Sequence, residues 1–181
     1  KMVPIITEFN NYRYFLMEGG RGGGKTQGVA RLLSYISEKK KVRIFCGRET
    51  QNTIQESVYT TFRDIIHKYR LNFKVFQDKI VHNTTGSEIR FKGFREQGST
   101  NIKGMEGVDI LWIDEAQAIT QNTLDIILPT IRKQNAKIFF TMNRYLRDDA
   151  VMSLVGRDDC LHITCNYEDN PFCPLSMKQE A

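Results

Sequence analysis

An α/β fold, with a mostly parallel central sheet flanked by helices and a small antiparallel hairpin insertion, is predicted by three features of the sequence. Apolar runs of strand length alternate with segments whose apolar residues recur at helical spacing. A glycine-rich turn, Glu18 to Thr26 (EGGRGGGKT), lies between the first such run and the first such helix. A later run, Ile110 to Ile113, ends directly in two carboxylates, Asp114 and Glu115.

The glycine turn carries the most specific chemistry. Gly19, Gly24, Lys25 and Thr26 satisfy the P-loop spacing G-x-x-x-x-G-K-[ST]. A chain that wraps a phosphate aims consecutive backbone N–H groups inward, and side chains obstruct both the turn and the approach. Gly19, Gly20, Gly22, Gly23 and Gly24 leave Arg21 as the one side chain between Glu18 and Lys25. The lysine is placed to meet the β- and γ-phosphates of a nucleoside triphosphate, and the Thr26 hydroxyl to hold Mg²⁺. The following helix, marked by Val29, Leu32, Leu33 and Ile36, starts with unpaired N–H groups facing the anion. Upstream, Tyr12 to Met17 reads as the strand that feeds the turn. Tyr12, Arg13 and Tyr14 read equally as base-stacking residues or as strand residues covering the core.

Val42 to Cys46 is predicted as a second buried strand. Ligands of open α/β sheets gather at the carboxyl ends of strands, so Arg48, Thr50 and Gln51 read either as part of that working face or as a solvated turn. Ile54, Val58, Phe62, Ile65, Ile66 and Tyr69 predict one apolar helix stripe. Residues 72–94 hold three short strand-like runs around a Thr84-Thr85-Gly86 turn and read as an antiparallel excursion. Gln97 to Gly107 is a polar loop which, with Lys92, Arg95 and Lys103, reads as solvated or as a phosphate-tracking surface.

Ile110 to Gln117 (ILWIDEAQ) is the second anchor. Core packing does not call for adjacent acids at the end of a buried strand, whereas a magnesium nucleotide does. Asp114 is expected to support the metal's water shell opposite Thr26, and Glu115 to orient and polarise the attacking water. Leu124, Ile127, Leu128 and Ile131 mark a helix interrupted by Pro129. Lys137 to Met142 is a further buried strand, which delivers Thr141 and Asn143 to where the γ-phosphate would lie. Asp148 to Val155 predicts a short helix, and Leu161 to Cys165 a last strand. Residues 1–166 thus read as one ATPase core and 167–181, with Pro171 and Pro174, as the start of a linker.

Composition restricts the function class less. Hydrophobic residues at 40% and charged residues at 26% fit a globular domain, and no apolar run is long enough for a bilayer, so no membrane association is expected. A net charge of +5 is compatible with a polyanionic partner, although a triphosphate site accounts for some of the excess. Cys46, Cys160, Cys165 and Cys173 form no C-x-x-C pair and read as reduced thiols. A zinc site from Cys160, His162, Cys165 and Cys173 is disfavoured because strand alternation sends Cys165 to the opposite face from Cys160 and His162. The sequence opens at Lys1 without a methionine and reads as a fragment.

Taken in order, GGRGGGKT, GRETQNTIQESVY, IKGMEG before ILWIDEAQ, TMN and NPFCP resemble one family: the N-terminal ATPase domain of the large terminase subunit of tailed bacteriophages. The resemblance spans nearly the whole chain. It implies a RecA-like ATPase core of the additional-strand type, with the TMN strand between the two Walker strands. It implies ATP hydrolysis with Mg²⁺ to translocate double-stranded viral DNA into the procapsid. Arg21 takes the place of an arginine that steadies γ-phosphate charge, and Thr141 to Asn143 that of a motif coupling hydrolysis to movement. The implied partners are double-stranded DNA, the portal protein, the small terminase subunit and further copies in a ring on the procapsid, with an isolated monomer. The implied location is the cytoplasm of the infected host, outside the mature virion. Many relatives carry a trans-acting arginine near Lys103, and a lysine lacks its planar fork, which leaves Arg95, Arg132 or Arg144 as candidates. A C-terminal nuclease domain is expected beyond the linker, so this segment is not expected to cleave DNA. Two other readings compete. DEAQ resembles helicase motif II, although a helicase needs a second RecA-like domain. A nucleotide-gated binding module would switch without useful turnover.

Overall fold

A computed structural model describes residues 2–49, 54–94, 105–143 and 149–179. After a short helix α1 (Val3–Thr7), the chain runs through β1 (Tyr14–Glu18), α2 (Lys25–Lys39) and β2 (Arg43–Arg48). A π-helical turn (Gln55–Tyr59) leads into α3 (Thr60–Tyr69), then β3 (Phe73–Val75), β4 (Lys79–His82) and β5 (Glu88–Gly93). β6 (Ile110–Asp114), α4 (Gln121–Thr130), β7 (Lys137–Met142), β8 (Cys160–Thr164) and α5 (Leu175–Gln179) complete the order.

The strands form one eight-stranded sheet in the order β3-β4-β5-β2-β6-β7-β1-β8. β7 pairs in parallel with both β1 and β6, so it separates the strand before the glycine turn from the strand that ends in the acids. This is the additional strand of a RecA-like core. Both faces of the sheet are covered, which explains why β1, β6 and β7 are buried along their whole length instead of alternating. Phe15, Met17, Trp112 and Phe139 face α2 and α3 with Val29, Leu33 and Phe62. Leu16, Leu111, Ile113, Ile138 and Phe140 face α4 with Leu124 and Ile127.

Several local expectations are revised. β5, read as part of the antiparallel excursion, pairs in parallel with β2 and antiparallel with β4, so it belongs to the main sheet. Ser87 fixes this junction: its hydroxyl reaches the Ser37 and Lys40 carbonyls and accepts from the Val42 N–H, just before β2 and β5 begin. Tyr69, the last residue of α3 and expected in the buried stripe, is exposed where the helix ends. α4 continues through Pro129 to Thr130, and the segment expected as a helix over 148–155 is a 3₁₀ turn, Ala150–Leu154. Cys160 and Cys165 pack in opposite core layers, as alternation along β8 requires.

Candidate active site

The carboxyl ends of β1, β2, β6 and β7 meet on one side of the sheet, around a cleft of about 720 Å³. The glycine turn forms one wall. Gly19 (φ +143°) and Gly24 (φ +73°) adopt backbone angles that a Cβ disfavours, and a Cβ at Gly19 would lie 1.9 Å from the Cys165 carbonyl oxygen. α2 starts immediately after this turn, aiming its first N–H groups toward the cleft.

Lys25, at the first position of α2, is buried, and its ammonium donates to the Gly19 and Gly20 carbonyls (2.8 Å each) and to Asn143 Oδ1 (3.0 Å). Its three donors are therefore occupied by the loop and the end of β7. Burial pulls its pKa below the ordinary lysine value, and the Cys165 and Asp114 side chains oppose that shift. Asn143 is fixed in turn, its N–H donating to Gln117 Oε1 (3.2 Å).

Asp114, buried at the end of β6, collects the remaining contacts. Its Oδ1 accepts from Thr26 Oγ1 (3.2 Å) and Thr141 Oγ1 (2.6 Å), and the buried Trp112 indole N–H donates to Thr141 Oγ1 (2.9 Å). Its Oδ2 accepts from Arg48 Nε (3.0 Å) and Nη2. Arg48 also pairs through Nη1 with Glu115 Oε2 (3.1 Å) and donates to Ser57 Oγ (2.6 Å) in the π-helical turn. One buried guanidinium thus bridges both acids and leaves the trio with one net negative charge when both are ionised. Glu115 itself is half exposed and holds a left-handed backbone (φ +52°), an uncommon angle for a side chain of this size.

The predicted site residues do not all converge. Gly22, Gly23, Gly24, Lys25, Thr26, Arg48, Asp114, Glu115, Thr141 and Asn143 line the cleft, and the Gly19 and Gly20 carbonyls anchor the lysine. Arg21 is exposed at the tip of the turn, outside the cleft walls. Tyr12 is a correction: it precedes the amino end of β1, at the opposite end of the strand from the glycine turn, and its carbonyl accepts from Lys137 Nζ (2.7 Å). The length of β1, at ~3.3 Å per residue, separates it from the phosphate turn. Arg132 donates to the Pro129 carbonyl, at the far end of α4. Thr50, Gln51, Arg95, Lys103 and Arg144, and most of the polar loop 97–107, lie outside the described residues. Within residues 167–179, expected to open a linker, Asn170 Nδ2 donates to the Gly22 carbonyl (2.7 Å). Ser57, Gln117, Cys165 and Asn170 were missed as site residues, since each enters through a tertiary contact.

The oxygens around Thr26 and Asp114 suit a hard divalent cation such as Mg²⁺: a hydroxyl and a carboxylate stand 3.2 Å apart at the cleft. Among the described residues no cluster of three or more His, Cys, Asp or Glu forms a metal site made by protein alone. Mg²⁺ is typically bound by one or two protein ligands together with substrate phosphates.

The family model for the phage terminase large subunit matches residues 11–181. The chain belongs to the phage terminase large subunit family. Solved terminase structures share its fold. The large terminase of a thermophilic bacteriophage superposes with a TM-score of 0.81 at 13% identity, covering 99% of this chain and 48% of that one. The same thermophilic-phage protein in complex with ATP-γ-S gives 0.77 at 14% identity, covering 99% and 47%. The N-terminal domain of the DNA packaging ATPase of bacteriophage phi29 gives 0.64 at 13% identity, covering 94% and 97%. This terminase chain spans about half the length of the thermophilic-phage protein. No curated protein sequence matches it.

Proposed function

We propose that this chain is the ATPase motor domain of a phage terminase large subunit, hydrolysing ATP with Mg²⁺ to translocate double-stranded viral DNA into the procapsid. The contact between Thr26 and Asp114 carries the reading, because it brings the hydroxyl of the glycine turn against the acid of β6 in the wall of the cleft. The thermophilic-phage terminase complex with ATP-γ-S and the packaging role of the phi29 ATPase support it by family likeness.

Within this reading, Thr26 and Asp114 would hold Mg²⁺, which supplies charge neutralisation at the β- and γ-phosphates. Lys25 exchanges its loop carbonyls for phosphate oxygens, and the backbone N–H groups of residues 22–26 surround the same anion. Glu115, once released from Arg48, accepts the proton of the attacking water. Arg21 turns in from the loop tip to steady γ-phosphate charge, and Thr141 and Asn143, which touch Asp114 and Lys25, register its loss. The partners are double-stranded DNA, the portal protein, the small terminase subunit and other copies of the subunit in a ring, in the cytoplasm of the infected host.

The deciding experiment is phosphate release from ATP by the chain with and without Mg²⁺. Magnesium-dependent turnover that vanishes in Lys25→Ala is expected, and turnover equal in the two proteins would remove the assignment.

A further inference from the structure

After β8 the chain returns to the glycine turn and stays there. The Cys165 N–H donates to the Glu18 carbonyl (2.7 Å), and the Cys165 carbonyl lies over Gly19 and Gly23 so closely that a Cβ on Gly23 would sit 2.5 Å from its oxygen. Asn170 then makes the one side-chain hydrogen bond to the turn from this segment among the described residues, Nδ2 to the Gly22 carbonyl at 2.7 Å. Its Oδ1 accepts from the Phe172 N–H (3.1 Å), closing an Asx turn. That second bond fixes the amide's orientation: the Phe172 N–H demands the oxygen, so the nitrogen faces Gly22.

The bond has a geometric consequence inside the turn. A trans peptide is planar, with its C=O and N–H on opposite sides. Holding the Gly22 carbonyl toward Asn170 therefore turns the Gly23 N–H the other way, away from Asn170. Gly22 (φ +79°) and Gly23 lie between Arg21 and Gly24, carry no Cβ and have little intrinsic preference between the two orientations, so an outside partner selects one. We propose that Asn170 is a positioning residue of the phosphate site, setting the Gly22–Gly23 peptide so that the loop's N–H groups converge before a triphosphate arrives. This rests on the nucleotide-binding reading and adds to it a residue from the segment after the last strand.

The proposal is tested by titrating the chain with ATP and, separately, with inorganic tripolyphosphate, for the parent, Lys25→Ala, Asn170→Ala and Asn170→Asp. The aspartate keeps the acceptor for Phe172 and removes the donor to Gly22, whereas alanine removes both. Both Asn170 variants are expected to weaken both ligands by roughly three- to tenfold or more, the scale of one hydrogen bond. The loss is expected in KM for ATP and not in kcat. Thermal melting identifies a variant that fails to fold, and the remaining one then decides. Parental affinity in the Asp variant, or a loss for ATP without a loss for tripolyphosphate, overturns the proposal. If the parent binds ATP, Lys25→Ala does not and the Asn170 variants match the parent, this inference alone falls. If the parent binds neither ligand, the nucleotide reading falls with it.

Discussion

Thr26 and Asp114, 88 positions apart in the sequence, meet with the threonine hydroxyl 3.2 Å from the Asp114 Oδ1. The first is the second residue of α2 and the other closes β6, so their contact depends on β7 lying between β1 and β6. Thr26→Val keeps the shape and deletes the hydroxyl. The Mg²⁺ concentration for half-maximal ATP turnover is expected to rise on the order of 10- to 100-fold, as read from a metal titration at fixed ATP.

Glu115→Gln keeps the size of the side chain and removes its basicity. Turnover is expected to fall on the order of 10²- to 10⁴-fold, the usual worth of a positioned general base. Nucleotide affinity is expected to hold, since Lys25 and Thr26 are untouched. Calorimetry with ATP-γ-S beside a steady-state assay separates the two, and a parental rate in the variant contradicts the role given to Glu115.

Lys25 gives a pH dependence with a defined sign. Burial lowers its pKa in the folded chain, so between the folded and the ordinary lysine values the unfolded chain holds the proton more often. Keeping the ammonium charged therefore costs stability at neutral pH, and that cost is relieved as the pH rises through the folded value toward 10.5. Urea unfolding at stepped alkaline pH is expected to show this rise in the parent, and to show it diminished in Lys25→Met. A phosphate ligand favours the charged form, so ATP affinity is expected to decline over the same alkaline window.

Trp112 is the one tryptophan of the sequence, and its indole N–H reaches Asp114 through the Thr141 hydroxyl. Binding of a magnesium nucleotide is expected to change its fluorescence. Thr141→Val strands the buried indole N–H and removes a donor to Asp114. A stability loss of about 1–3 kcal/mol is expected by denaturant unfolding, together with a smaller fluorescence response.

The strand, glycine turn and helix from Tyr14 to Lys39 were legible because each signal is local: an apolar run, residues without Cβ where the turn needs them, and an apolar stripe at helical period. The acids of β6 were legible for a similar reason, since carboxylates directly after four buried apolar residues demand a ligand or a counter-charge. The role of Arg48 was not. Its place near the working face followed from the strand-end rule, but its grip on Asp114 spans 66 positions and depends on β2 lying beside β6. Of the two readings of Tyr12, base stacking and core covering, the structure favours the second, because proximity in sequence to the turn says nothing about which end of β1 a side chain occupies.

By itself, the sequence determined the chemical groups and the short elements that carry them, because turn geometry and periodicity act over a few residues. Beyond the place of β7 between β1 and β6, which the family resemblance implied, strand order was decided in three dimensions. It placed β5 in the parallel sheet, brought Thr26 to Asp114 and laid Asn170 against Gly22. Such contacts depend on how two covered sheet faces and their crossovers pack together, and no local window of residues contains that information.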